Sequence, residues 1–140
     1  MKILVGIDGS DMGHLVAAEA AKLAARMGGS LTLFRAVTLP PELPPSFLVM
    51  APDDVQKALI EGAEANLRDV AARLPPGLVV AKRVEVNTPW RGLVHAAKEL
   101  GVDIVVIGAH SHHGLERLLG TTASKVVDHC DRSVFVVRPH

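Results

Sequence analysis

The sequence predicts an α/β fold: one domain, residues 1–140, with a doubly wound five-stranded parallel sheet and helices on both faces. Two observations lead to it. Five short apolar runs rich in β-branched residues alternate with stretches of helical pattern, the β-α-β-α order that right-handed crossovers turn into a parallel sheet. The composition agrees: 49% of residues are hydrophobic but only 3% aromatic, with no tyrosine, so the core is Val, Leu, Ile and Ala, as in helices packed on a parallel sheet. A chain of 140 residues is long enough to bury one core of this kind.

The elements follow in order. Lys2 to Ile7 reads as a buried strand, continuously apolar and stopped by "DGSD". Ser10 or Asp11 is the expected cap of an Ala-rich helix that runs to Gly28 and Gly29, a residue type suited to a helix C-terminus. Ser30 to Val37 is a second strand. The proline-dense stretch Thr38 to Pro52 cannot be the interior of a helix or of a central strand and reads as a long loop. Asp53 and Asp54 open a helix that ends before Pro75, with Val55, Leu59, Leu67 and Val70 on its apolar face and acids where the helix dipole favours them. Leu78 to Val86 is a third strand. Asn87 or Thr88 is the next expected cap, Pro89 the first helical residue, and the helix stops before Gly101; Trp90, on its first turn, reads as a packing residue. "VDIVVIG" is the most evidently buried strand, a helix follows from about Thr122 to Cys130, and Ser133 to Arg138 is the last strand, ended by Pro139.

Charge and cysteine content exclude several functions. Fifteen basic residues balance fifteen acidic ones, so nothing suggests a nucleic-acid surface or a polybasic membrane patch. The single cysteine, Cys130, has no partner for a disulfide or a CxxC site. The opening apolar run meets Asp8 too early for a signal peptide or a membrane span, and a cytoplasmic protein is expected.

In doubly wound sheets ligands sit at the carboxyl ends of the strands, near the point where the strand order reverses. Two such ends carry distinctive residues: Asp8-Gly9-Ser10 after the first strand, and "GAHSHHGLERLLGTTAS" after the fourth. Gly120, Thr121 and Thr122 would present backbone amides and hydroxyls at a helix N-terminus, which is an anion site in physical terms. Gly108 and Gly114 allow close backbone approach and positive φ, both useful around phosphate oxygens.

These residues resemble the universal stress protein family over essentially the whole chain. The resemblance rests on "ILVGIDGSD", "NTPW", "VDIVVIGAHSHHGLERLLGTTASKVV" and "CDRSVFVVRP". It implies a Rossmann-like, adenine nucleotide alpha hydrolase-like fold. Nucleotide-binding members carry Gly-x2-Gly-x9-Gly-Ser/Thr around the phosphates and ribose. Carried over, Gly6, Ile7 and Asp8 lie beside the nucleotide, Ala36 packs near the adenine, Ile107 and Gly108 begin the motif, and Gly120 and Thr121 close it, with Thr122 adjacent. Ser111 stands where the second glycine falls, Gly114 is expected to take its flexible role, and Gly120 arrives one residue early. His110, two residues past Gly108, is the histidine best placed to face phosphate.

The resemblance thus implies ATP or another adenine nucleotide as ligand, with Mg²⁺ held through the phosphates, and a cytoplasmic stress-response sensor or regulator. It also implies a homodimer through the last strand, Ser133 to Arg138, which is apolar on both faces and ends the sheet at an edge that invites pairing. Two other readings stand beside it: a dimeric interaction protein that binds no nucleotide, and a slow ATP hydrolase. His110, His112 and His113 lack a second cluster of Cys, Asp or Glu and are not expected to hold a metal. Ser10 and Ser111 lack the G-x-S-x-G elbow of a hydrolase nucleophile. A receiver domain would need an Asp after strand three and a Lys after strand five, where this chain has Asn87 and Arg138. No general base and nucleophile pair is evident, so at most weak ATPase activity is expected.

Overall fold

The computed structural model describes residues 1–39, 52–109 and 119–139. In chain order these form β1 (Lys2–Gly6), α1 (Met12–Met27), β2 (Ser30–Val37), α2 (Pro52–Ala72), β3 (Val79–Val86), α3 (Pro89–Leu100), β4 (Ile104–Gly108), α4 (Thr121–His129) and β5 (Ser133–Val137). All five strands are parallel and lie in the order β3-β2-β1-β4-β5. The chain therefore builds outward from β1 in one direction, returns, and completes the sheet on the other side. β1 and β4 are the neighbours at this reversal, with Val5 opposite Val106.

The period-two alternation of each strand divides the core into two layers. Ile3, Val5, Leu31, Leu33 and Val106 point to the side covered by α1 and α2, where they meet Val16, Ala20, Leu67 and Val70. Leu4, Phe34, Val105 and Ile107 point to the side covered by α3 and α4, where they meet Leu93, Ala96, Ala97, Ala123 and Val126. Small alanines on the helices let the aliphatic strands come close, which is how a core almost without aromatics fills its volume. Phe34 is the large exception. Gly92 makes room for it, since a Cβ at Gly92 would lie 2.8 Å from its ring.

Helix ends follow the expected positions within a residue or two, but not always the expected chemistry. Gly28 ends α1 in the left-handed conformation, φ 68°, with its amide returned to the Ala24 carbonyl. At the other end of α1, Asp11 occupies the cap position without a side-chain hydrogen bond to the helix, and Ser10 turns back instead: its hydroxyl donates to Asp8 Oδ1 at 2.6 Å. The expected Ser or Asp cap is thus replaced by a local Asp–Ser turn, a competition open to any short polar side chain near a backbone amide. Thr88 likewise caps α3 by position alone, while Asn87 Oδ1 accepts the Thr88 amide. Cys130 is a free, partly exposed thiol. Among the described residues no helix is long and apolar enough to cross a membrane.

Candidate functional site

The carboxyl ends of β1 and β4 lie side by side at the reversal of strand order, and each end is built in its own way. Beyond β1 the ladder continues for one more bond, from the Ile7 amide to the Phe34 carbonyl at 2.8 Å. Ile7 turns its side chain into the α1 side of the core and is 4% exposed, so only its backbone faces outward. Asp8 is exposed. Its Oδ1 accepts both the Ser10 amide, at 2.9 Å, and the Ser10 hydroxyl, while its second oxygen has no donor among the described residues. Gly9, at φ 84°, makes the bend that lets these bonds close. Arg35, from β2, lies against this glycine with its guanidinium.

Gly6, one of the residues expected beside a ligand, is closely packed from the α3 side: a Cβ there would stand 3.1 Å from Leu93 and 3.2 Å from Ile107. Ile107 is itself buried in that layer. The side chain of Ile107 thus belongs to the core, and Gly6 has no room for one. Ala36 is half-buried on the same side as Phe34 and Trp90.

At the end of β4, Gly108 is paired with Val137 of β5, and the next amide, of Ala109, bonds to the Val137 carbonyl at 2.8 Å. Gly108 does not have the positive φ expected of it: the strand ladder holds it extended, so its contribution is the absence of a side chain rather than a turn. Gly120 takes the cap position of α4 in an extended conformation, φ −64° and ψ 167°, with no side-chain cap. The first amide of the helix to find an internal acceptor is that of Ser124, which bonds to the Gly120 carbonyl at 2.9 Å. Among the described residues the amides of Thr121, Thr122 and Ala123, the first of the helix, find no acceptor, and Thr121 is exposed and Thr122 half-buried. Such an end carries a partial positive charge and favours an anion. His110, Ser111 and Gly114, the remaining expected contacts, lie outside the described residues, as do His112, His113 and most of the proline-dense stretch.

The described donor set fits a phosphorylated polyol. It offers amides and hydroxyls for an anion on the β4 side, and a carboxylate oxygen able to accept from a sugar hydroxyl on the β1 side. It offers no dedicated metal ligands, so a divalent ion there would have to be carried by the phosphates. Elsewhere Glu85, His95 and Glu99 bring one potential ligand atom each within 4.8 Å of one another. Arg83 already holds that position, reaching Glu85 at 2.6 Å and Glu99 at 2.8 Å. The hydrogen bond from Arg83, with the charge behind it, keeps the Glu99 carboxyl below its ordinary range, and the same bond raises the Arg83 value. This is an ion-pair strap between β3 and α3. A groove of about 260 Å³ between α2 and β3, lined by Glu64, Leu67, Arg68, Lys82 and Val84, is separated from the β1 and β4 ends by β2.

A family model described as the universal stress protein family matches residues 1–138. The chain belongs to this family. Universal stress protein A homolog 2 of Coxiella burnetii is 30% identical over 121 residues, covering 86% of this chain and 82% of that protein. Universal stress protein UspA from Lactobacillus plantarum has the same fold, with a TM-score of 0.78 at 26% identity over 99% of this chain and 97% of its own. A universal stress protein solved in complex with cAMP superposes with a TM-score of 0.65 at 22% identity, over 99% of this chain and 96% of its own. The fold expected from the sequence is the fold of these universal stress proteins.

Proposed function

We propose that this universal stress protein binds an adenine nucleotide across the ends of β1 and β4 and acts as a cytoplasmic sensor or regulator. One observation carries the reading: Asp8, with an oxygen that has no donor among the described residues, follows β1, the chain runs from β4 to the start of α4, and β1 and β4 are neighbours at the reversal of strand order. Thr121, Thr122, Gly120 and Gly108, with Ser111, Gly114 and His110, take the phosphates. Asp8 takes the ribose, and Ala36 with the backbone of Gly6, Ile7 and Ile107 borders the base. The cAMP complex of a related fold supports the choice of adenine. When the ligand is ATP, Mg²⁺ travels with its phosphates. The sequence offers no evident base and nucleophile pair, so in this reading hydrolysis is slow at most and the bound state itself is the signal.

The protein works as a homodimer that pairs β5 with its copy. The edge position of β5 and the exposure of Phe135, 43%, support that arrangement.

Calorimetric titration of the purified protein with Mg-ATP, and with AMP beside it, tests the nucleotide reading. Wild type is expected to release heat and to gain thermal stability with ligand concentration. Gly120→Val, which puts a branched side chain at the helix cap, is expected to bind at least about tenfold more weakly. No heat and no thermal shift at millimolar nucleotide would leave the dimeric interaction protein as the function.

A further inference from the structure

We infer that Arg35 is the positioning residue of this site: it fixes the Asp8-Gly9 turn from the opposite face of the sheet and ties it to α2 through Asn66. The inference rests on the nucleotide reading for its functional consequence, and on geometry for the rest. Alternation along β2 sends Phe34 and Ala36 to the α3 and α4 side, and Leu33 to the α1 and α2 side. Arg35 shares the side of Leu33. A ligand held at the start of α4 and against Ala36 is on the other side, so Arg35 acts through the backbone that lies between.

That backbone is Gly9. A Cβ built on it would meet Arg35 Nη2 at 2.7 Å, Cζ at 2.8 Å and Nη1 at 3.1 Å, so the flat guanidinium covers the glycine with three atoms at once. The far side of the fork is anchored: Nη1 donates to Asn66 Oδ1 at 2.9 Å. Asn66 belongs to α2, and it is a neutral partner. No carboxylate of the described residues forms an ion pair with Arg35. A half-buried cation usually finds a carboxylate, because desolvating the charge is costly without one. Here the guanidinium is held by shape and one amide, with the planar face that lysine lacks turned to the turn. Remove it, and Gly9 loses what stands behind it. The two bonds from Ser10 to Asp8 Oδ1 then have to hold a glycine turn alone.

The test uses Arg35→Met, which keeps the stem and loses the fork, with Asn66→Ala, Asp8→Asn and the Asp8→Asn/Arg35→Met double variant. Without ligand, hydrogen exchange at the Gly9 and Ser10 amides is expected to quicken in Arg35→Met and, to a lesser degree, in Asn66→Ala, because local opening sets the exchange rate. Calorimetry with Mg-ATP and with adenosine is then expected to show both ligands weakened alike, by about tenfold in Arg35→Met. In the Asp8→Asn background Arg35→Met is expected to add almost nothing, the signature of two residues acting through one contact. Unchanged exchange in Arg35→Met overturns the inference. So does a loss confined to ATP, which would make Arg35 a direct phosphate contact, and so does full additivity with Asp8→Asn. If wild type binds neither ligand, the nucleotide reading fails, and the exchange arm alone decides the role of Arg35.

Discussion

At one edge of the sheet, β3 carries Lys82, Arg83 and Glu85 within four residues, and Arg83 straps the strand to Glu99 of α3; at the other, β5 reads Val134, Phe135, Val136, Val137 with no charge among them. Both strands leave a row of backbone groups without a partner strand among the described residues, and an unprotected row of that kind recruits other strands. Charge at β3 opposes such recruitment, although Val80 and Val86 of the same strand are exposed as well. β5 lacks that defence, and its Phe135 is exposed at 43%. The difference makes the uncharged β5, rather than the charged β3, the edge on which the proposed pairing rests.

Phe135→Asp is expected to break the contrast most strongly. A charge on the proposed contact strand should raise the dimer dissociation constant by about tenfold or more. Sedimentation velocity across a concentration series checks it, and a wild type that is monomeric at micromolar concentration removes the dimer.

Arg83→Met comes next. Glu85, which is only 19% exposed, then keeps a carboxylate without its partner, at a cost of about 1–3 kcal/mol in urea unfolding. Lys82→Val sharpens the comparison in the other direction. It should change stability by less than about 0.5 kcal/mol. It should nonetheless promote self-association through β3, visible by light scattering.

The smallest effect belongs to Glu99→Gln and appears in pH. The Arg83 hydrogen bond lowers the Glu99 pKa in the folded state, so its stabilisation is present above the unfolded carboxyl value and is lost as pH falls through the lowered one. Stability curves of wild type and Glu99→Gln should therefore meet in acid and separate slightly toward neutral pH. A separation that grows toward acid would contradict this sign.

The order of elements was legible because each strand is an unbroken apolar run and each helix carries a stripe of alanines and leucines. β2 and α3 have the predicted limits, Ser30–Val37 and Pro89–Leu100. Ends were less legible where side chains compete for the same amide. Ser10 was expected to serve the helix and instead serves Asp8, a choice between two local bonds that the letters do not decide. Gly108 has the freedom for a positive φ in its sequence, but its pairing with Val137, far along the chain, keeps it extended. The two flanks of the candidate site, Asp8 and Gly120-Thr121, could be named from motifs. Arg35 could not, because its meaning depends on Asn66, 31 residues later, and on which face of β2 it occupies. The same holds for Arg83 and Glu99, joined across 16 residues. An arginine interrupting an apolar strand was the one available signal for each.

The only tryptophan of the chain sits on the first turn of α3 with its ring 4.7 Å from that of His129 and with Lys125 Nζ 5.9 Å from its centre, both on α4. The helix whose start offers the anion-binding amides thus rests its other end on the sole indole. A tilt of α4 would change what quenches that indole, so if the proposed ligand moves this helix, the emission of Trp90 would report its binding without a label.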